Sequence, residues 1–364
     1  ADRVPGGLGL MSATLAIGGG LGLVGAGPIV EQLGWHWLFW IPLATSLVAC
    51  YLTARFVPES PIRVPGRINW PAALLMISWI SLILVAISQT TTWGWGSAKT
   101  IGLIAAGVAL AVAWIALELR SSEPLVDMRL MRVRGVWTTN ASSLLLGVGM
   151  YASFFLFPQF AELPKLTKFG FGVSVVTAGL YLLPMTALMA VAGGAYGRVS
   201  ERLGARRALI LGTLLTGCSF LQFRLAHGHP LDMVLSAAIL GIGLGMSFAA
   251  TPDLIVGFVA AGQTGVATGM NTLLRLLGGA VGAQVGATFV ADHTAHGLPL
   301  VTGFNDSYVM GAALVAIAVL AALCVPRAIA KASRSEAVQT GIVPTEPASD
   351  GGGARELAGQ ETTT

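Results

Sequence analysis

Residues 175–207 read VVTAGLYLLPMTALMAVAGGAYGRVSERLGARR. The first 23 positions, 175–197, hold no charged side chain, whereas the next ten include Arg198, Glu201, Arg202, Arg206 and Arg207. At about 1.5 Å of rise per residue, a helix over 175–197 is about 34 Å long. That is enough to cross a hydrocarbon core of roughly 30 Å. An apolar run of this length followed at once by a basic loop predicts a membrane span and its landing on one side of the bilayer.

Working outward, the same unit recurs along the 364-residue chain. Apolar runs of spanning length are read at 7–29, 35–56, 70–89, 100–119, 137–159, 207–226, 231–257, 264–288 and 306–326, which makes about ten spans in all. Composition agrees: 54% of residues are hydrophobic, 10% are charged and mean hydropathy is +0.76. Soluble domains carry about 25% charged residues, so a surface this apolar needs lipid as its solvent. The runs lack the two-residue alternation of barrel strands, and only helices otherwise satisfy the backbone inside lipid, so the fold is predicted to be all-α. The net charge of +4 is no argument for nucleic acid, because in a membrane protein the distribution of basic residues matters more than their sum. Cys50, Cys218 and Cys324 sit singly in apolar stretches, without CxxC spacing, and read as small core residues rather than disulfides or metal ligands. The opening segment lacks the basic region, short apolar core and cleavage site of a signal peptide.

The loops assign sides. Arg3; Arg55, Arg63 and Arg67; Arg120, Arg129, Arg132 and Arg134; Arg198, Arg202, Arg206 and Arg207; and Arg327, Lys331, Arg334 and Arg355 fall on one side. Only Lys99, Lys165, Lys168 and Arg224 fall on the other, which also carries Trp93, Trp95, Phe169, Phe171, His227 and His229. Because basic loops stay in the cytoplasm, the first side and the C-terminus are expected to be cytoplasmic, in a multi-pass plasma-membrane protein. Pro and Gly at 58–69 and a basic stretch at 121–136 divide the chain into blocks. These are two spans (1–57), a linker pair with its cytoplasmic loops (58–136), a six-span bundle (137–326) and a Gly/Glu/Thr/Ser-rich tail (327–364) that is expected to be disordered and cytoplasmic.

Candidate functional residues lie in two motifs and at a few intramembrane polar positions. In the loop after the 175–197 span, Gly197 permits close helix approach and Gly204 permits a tight reversal. Glu201 is placed to meet the next helix's N-terminus, while Arg202, Arg206 and Arg207 are placed to clamp carboxylates or backbone carbonyls. The run Gly197–Arg207 resembles the GxLaDRxGrk loop of the major facilitator superfamily, with Val199, Glu201 and Ala205 as its departures. The resemblance implies a latch that breaks and re-forms between inward-open and outward-open states. The first span carries Gly22, Gly25, Gly27 and Pro28 and resembles the antiporter-motif helix of drug:proton antiporters, although Glu31 and Gln32 stand where that motif has a glycine pair. Phe154–Phe160, Ala178–Pro184 and Gly265–Gly279 are similar to segments of the fourteen-helix (EmrB/QacA-like) group of that superfamily.

Charges inside a bilayer usually face a partner or a cavity. Arg275 lies near a midplane, on one helical face with Asn271, Gly278, Gly282 and Gly286; that face reads as a packing stripe, with Asp253 the expected ion-pair partner and a substrate or proton-coupling site the alternative reading of Arg275, Asp253 and Asn271. Gln159 either lines a cavity or bonds a neighbouring helix, and Glu31 is either solvated or a cation and proton site. Met150, Met185, Met189, Met246 and Met270 are expected to fill the core.

The resemblance implies a layout of six, two and six helices, and export of small amphipathic molecules, expected to be cationic or neutral, against protons, with multidrug or antibiotic resistance as the outcome. The present runs would then be the fifth and sixth helices, the linker pair and the whole second half. The four helices expected before them would carry the acidic residue tied to proton coupling, so these residues alone are expected not to transport. The expected partners are the lipid bilayer, an amphipathic substrate and protons; no catalytic residue, cofactor, metal or nucleic acid is expected. A non-transporting remnant or assembly partner is the alternative. A membrane-embedded enzyme is disfavoured, because no extramembrane domain or DxxxD motif stands in the sequence.

Overall fold

The computed structural model describes residues 4–57, 69–121, 124–126, 128–167, 169–295 and 298–326. For residues 4–13, Leu15, Ala16, Leu21, Leu23, Val24, Thr91 and Ala261 only the backbone is described. The predicted tail and most of the proline-rich linker lie outside these residues.

Ten long helices run through the described residues: α1 (Val4–Leu33), α2 (Trp37–Phe56), α3 (Trp70–Ser88), α4 (Ala98–Arg120), α5 (Arg134–Glu162), α6 (Val175–Leu203), α7 (Ala205–Leu225), α8 (Pro230–Phe258), α9 (Thr264–Asp292) and α10 (Val301–Cys324). Among the described residues nine of them, α2 to α10, are long and apolar enough to cross a membrane. α1 is 30 residues long and carries no charge from Val4 to Val30. Short helical turns at Thr90–Trp93 and Met128–Met131, 3-10 turns at Lys165–Thr167 and Ala261–Gln263, and a two-residue antiparallel ladder, Thr294–Ala295 with Leu298–Pro299, complete the described structure. The protein is an all-α, multi-pass membrane protein.

Helix starts follow local chemistry. Asn69, Ser97 and Ser174 each accept a hydrogen bond from the backbone N–H three residues on, which satisfies a first-turn donor. α8 opens on a reciprocal pair in which the His229 N–H donates to Asp232 Oδ2 at 2.9 Å, with Pro230 at its first position.

Helices α5 to α10 enclose the main core, in which Phe157, Phe160, Phe223, Phe304 and Tyr308 pack ring against ring. Its closest helix pairs are α5 with α9, and α8 with both α6 and α7. Small residues set these distances. A Cβ on Gly278 or Gly282 would strike the Leu144 and Val148 carbonyls of α5, and one on Gly147 would strike the Arg275 carbonyl of α9. These are backbone-to-backbone contacts of the kind that drive helix association where lipid offers no hydrophobic gradient. The expected stripe is therefore real, and it faces α5.

α1 lies along α6, and α3 with α4 makes a hairpin whose Trp79 and Trp114 rings stand 6.0 Å apart. Under this hairpin's open end, Glu118 is only 2% exposed, against the backbone of Leu125 and Val126. α2 has no buried residue at all. The cysteines depart from expectation: Cys50, Cys218 and Cys324 are all exposed. In a membrane protein the outer surface is as apolar as the core, so an apolar neighbourhood in sequence does not imply burial.

Candidate functional site

The loop between α6 and α7 is a single residue. Gly204 takes φ 83° and ψ 149°, and its N–H donates to the Ser200 carbonyl at 2.8 Å. A side chain would be strained there, so glycine makes the reversal possible. Beyond it, the Arg206 guanidinium donates through Nη2 to the Leu323 carbonyl in the last turn of α10. Last-turn carbonyls have no partner within their own helix, so a cation there is well placed. Gly197 is half-buried on α6, while Glu201, Arg202 and Arg207 are exposed. Gly204, which has no side chain, occupies the capping position of α7.

In α1, the contact with α6 is made at Gly27 and at Gly20, one of the glycines outside the motif positions singled out above. A Cβ on Gly27 would come within 2.9 Å of Val176 Cγ2, and one on Gly20 within 2.6 Å of Thr186 Oγ1. Gly22 faces open space and Gly25 meets only its own helix's Ile29. Pro28 lies inside α1 rather than at its end, and the helix runs on through exposed Glu31 to Leu33.

The intramembrane polar groups sort themselves by height along the helices. Phe248 stands ten residues before the end of α8 and Arg275 eleven residues after the start of the antiparallel α9. The two are therefore level, and the guanidinium carbon of Arg275 lies 4.4 Å from the Phe248 ring centroid. Asp253 is five residues from the same end of α8, so it sits about 9 Å away along the axis. Its partner is not Arg275 but Tyr196, whose phenol donates to Asp253 Oδ2 at 2.7 Å. One turn before Arg275, Asn271 Nδ2 donates to Asn140 Oδ1 at 2.9 Å and to Ser143 Oγ at 2.7 Å, which ties α9 to α5. Gln159 is half-buried, and its Oε1 is enclosed without a hydrogen-bond partner among the described residues. Met185 and Met189 lie in the core, Met150 and Met246 pack against it, and Met270 packs against the linker hairpin.

The structure thus brings Asn271 and Arg275 into one α5–α8–α9 seam and leaves Asp253, Gln159 and Glu31 apart from it. Tyr196, Phe248, Asn140 and Ser143 are the contributors that the sequence reading passed over. Asn140 and Ser143 share an i, i+3 face, a signal that was available; Tyr196 and Phe248 carry no such mark among the many aromatics of an apolar chain.

Comparison with known proteins bears on the whole arrangement. The sequence profile of the Major Facilitator Superfamily matches residues 1–283 and, again, 141–351. Relatives include the tetracenomycin C resistance and export protein of Streptomyces glaucescens, 26% identical over 81% of this chain and 57% of its own. The multidrug efflux pump LfrA of Mycolicibacterium smegmatis is 26% identical over 92% of this chain and 66% of its own. The drug efflux pump JefA of Mycobacterium tuberculosis is 30% identical over 77% and 56% respectively. The chain spans between about half and two thirds of the length of these relatives. With the profile matching across its helical length, the chain belongs to the major facilitator superfamily.

Proposed function

We propose that these helices serve a drug-efflux transporter that exports small amphipathic molecules in exchange for protons by alternating access. The observation that carries this reading is the α1–α6 contact. A helix of the first block meets a helix of the six-helix bundle through Gly20 and Gly27, where the Thr186 and Val176 side chains of α6 rest on bare glycine backbone and no α1 side chain interlocks with them. A contact made by glycines lets two rigid halves rock against one another without breaking interlocked side chains. The names of the relatives, which are exporters of drugs or of an antibiotic, support the substrate class.

In this reading the protein lies in the plasma membrane with its basic loops and its C-terminus in the cytoplasm. Its layout is that of the fourteen-helix antiporters: residues 1–57 supply the fifth and sixth helices, 58–136 the linker pair and 137–326 the second half. The residue that couples protons lies in helices before α1, and the ten helices alone do not transport. The Gly197–Arg207 loop, anchored at Arg206, acts as the latch between states.

The test is export of a fluorescent dye from an efflux-deficient host expressing the complete reading frame, compared with a host expressing residues 1–364 alone. Export by the first that stops when the proton gradient is collapsed is the expected result. Export that continues without the gradient overturns proton coupling, and no export by either protein favours the non-transporting alternative.

A further inference from the structure

Arg275 is the only formally charged residue between Arg134 and Glu162 of α5, Asp232 and Asp253 of α8, and Thr264 and Val290 of α9, the three helices that surround it. No carboxylate among the described residues lies within ion-pair distance of it, because Asp253 is engaged by Tyr196 at a different height. Its guanidinium donors find no hydrogen-bond acceptor among the described residues either. The group is held from behind by the Phe248 ring at 4.4 Å. A ring face attracts a cation, but it offsets only part of the loss of hydration and accepts none of the five N–H donors.

The surroundings of this cation are those of a ligand face rather than of a packed ion pair. Tyr151 lies against Gly279, one turn along α9 from Arg275, and Phe154 stands edge-on to Tyr151 with ring centroids 5.9 Å apart. Arg275, Tyr151 and Phe154 are all half-buried, so each keeps part of its surface uncovered. On the other side of Arg275, the Asn271 amide is already committed to Asn140 and Ser143. The missing element is an anion with in-plane acceptors, which a guanidinium recognises through two parallel hydrogen bonds.

We infer that Arg275 binds the acidic group of the transported molecule, and that the substrate class therefore includes planar amphipaths carrying a carboxylate or phenolate, whose rings lie against Tyr151 and Phe154. This rests on the efflux reading above and narrows it, since a cationic substrate would be repelled at this point of the seam.

The test uses two dyes with one ring skeleton and opposite charge, fluorescein and rhodamine 123, bound to the purified chain in lipid nanodiscs and followed by fluorescence polarisation. Arg275→Gln is expected to weaken fluorescein at least about tenfold, a charge-assisted contact being lost, and to leave rhodamine 123 bound at least as tightly as before, a like charge being removed. Arg275→Lys is expected to retain part of the fluorescein affinity, because it keeps the charge but loses the fork. Benzoate should displace fluorescein and not rhodamine 123 from the unmodified chain, a measurement that needs no variant to fold. Fluorescein binding unaffected by Arg275→Gln or by benzoate overturns the assignment. Rhodamine binding without fluorescein binding also overturns it and leaves the efflux reading standing, whereas binding of neither dye counts against both.

Discussion

The phenol of Tyr196 donates a hydrogen bond of 2.7 Å to the Asp253 carboxylate, joining α6 to α8 inside the bundle. Tyr196 is fully buried, so the pair is shielded from water on the α6 side. Hydrogen bonds to charged groups contribute about 1.5–3 kcal/mol, and leaving the acceptor unpaired costs a similar amount. Tyr196→Phe is therefore expected to destabilise the bundle by about 2 kcal/mol. In a double-mutant cycle, Tyr196→Phe with Asp253→Asn should cost less than the two single changes added together. Chemical denaturation in detergent micelles measures both, and strict additivity would show that the contact carries no energy.

Gly278 and Gly282 face carbonyls of α5 with no room for a methyl group. Replacing either with alanine should push α9 off α5, at a cost of several kcal/mol by analogy with overpacked cores, which lose about 1–3 kcal/mol even without backbone contact. Gly269, which has open space around it, serves as the control in the same helix. Monodispersity on size exclusion and the unfolding midpoint report the difference; equal behaviour of the Gly269→Ala and Gly278→Ala variants would contradict the packing described above.

The α1–α6 contact predicts a similar asymmetry among the motif glycines. Gly27→Val collides with Val176, whereas Gly22→Val points into open space. Only the first should loosen the contact. Cysteines placed at residue 27 and at Val176 on a background without Cys50, Cys218 and Cys324 should cross-link readily, and cysteines at 22 and 176 should not.

Arg206 caps α10 through the Leu323 carbonyl, while Arg207 is exposed and Arg206 is only half so. Arg206→Ala should lower stability by about 1–2 kcal/mol through the lost cap, and Arg207→Ala should change it by less than about 0.5 kcal/mol. Faster hydrogen exchange in the last turn of α10, confined to the Arg206 variant, would localise the effect. An equal response to both substitutions would mean that the loop acts through its overall charge alone.

Asn271 satisfies its amide on Asn140 and Ser143, and it is 2% exposed. Asn271→Leu should leave Asn140 and Ser143 with less to bond and cost about 1–2 kcal/mol, of the order found for interhelical hydrogen bonds in membranes. Triple replacement of Asn140, Asn271 and Ser143 by apolar residues of similar size should recover part of that loss, since no buried polar group then remains unpaired. Thermal unfolding of the single and triple variants decides between these outcomes.

Much of this was already determined by the sequence. The spacing of apolar runs such as 175–197 marked where helices lie, because lipid demands about 20 apolar residues per crossing and leaves the backbone no partner but itself. Gly204 was legible as a reversal, and Gly278 and Gly282 as a packing face, since each depends on local stereochemistry or helical period. Tertiary structure alone decided who meets whom. Asp253 and Arg275 looked like a pair in a one-dimensional reading, but antiparallel packing sets Phe248 level with Arg275 and drops Asp253 about 9 Å lower, beside Tyr196. Cys218 looked buried and is exposed, because the outside of a membrane bundle is as apolar as its inside. Hydropathy records how far a helix goes into lipid; the height and rotation at which it meets its neighbours come from the packing of whole helices against one another.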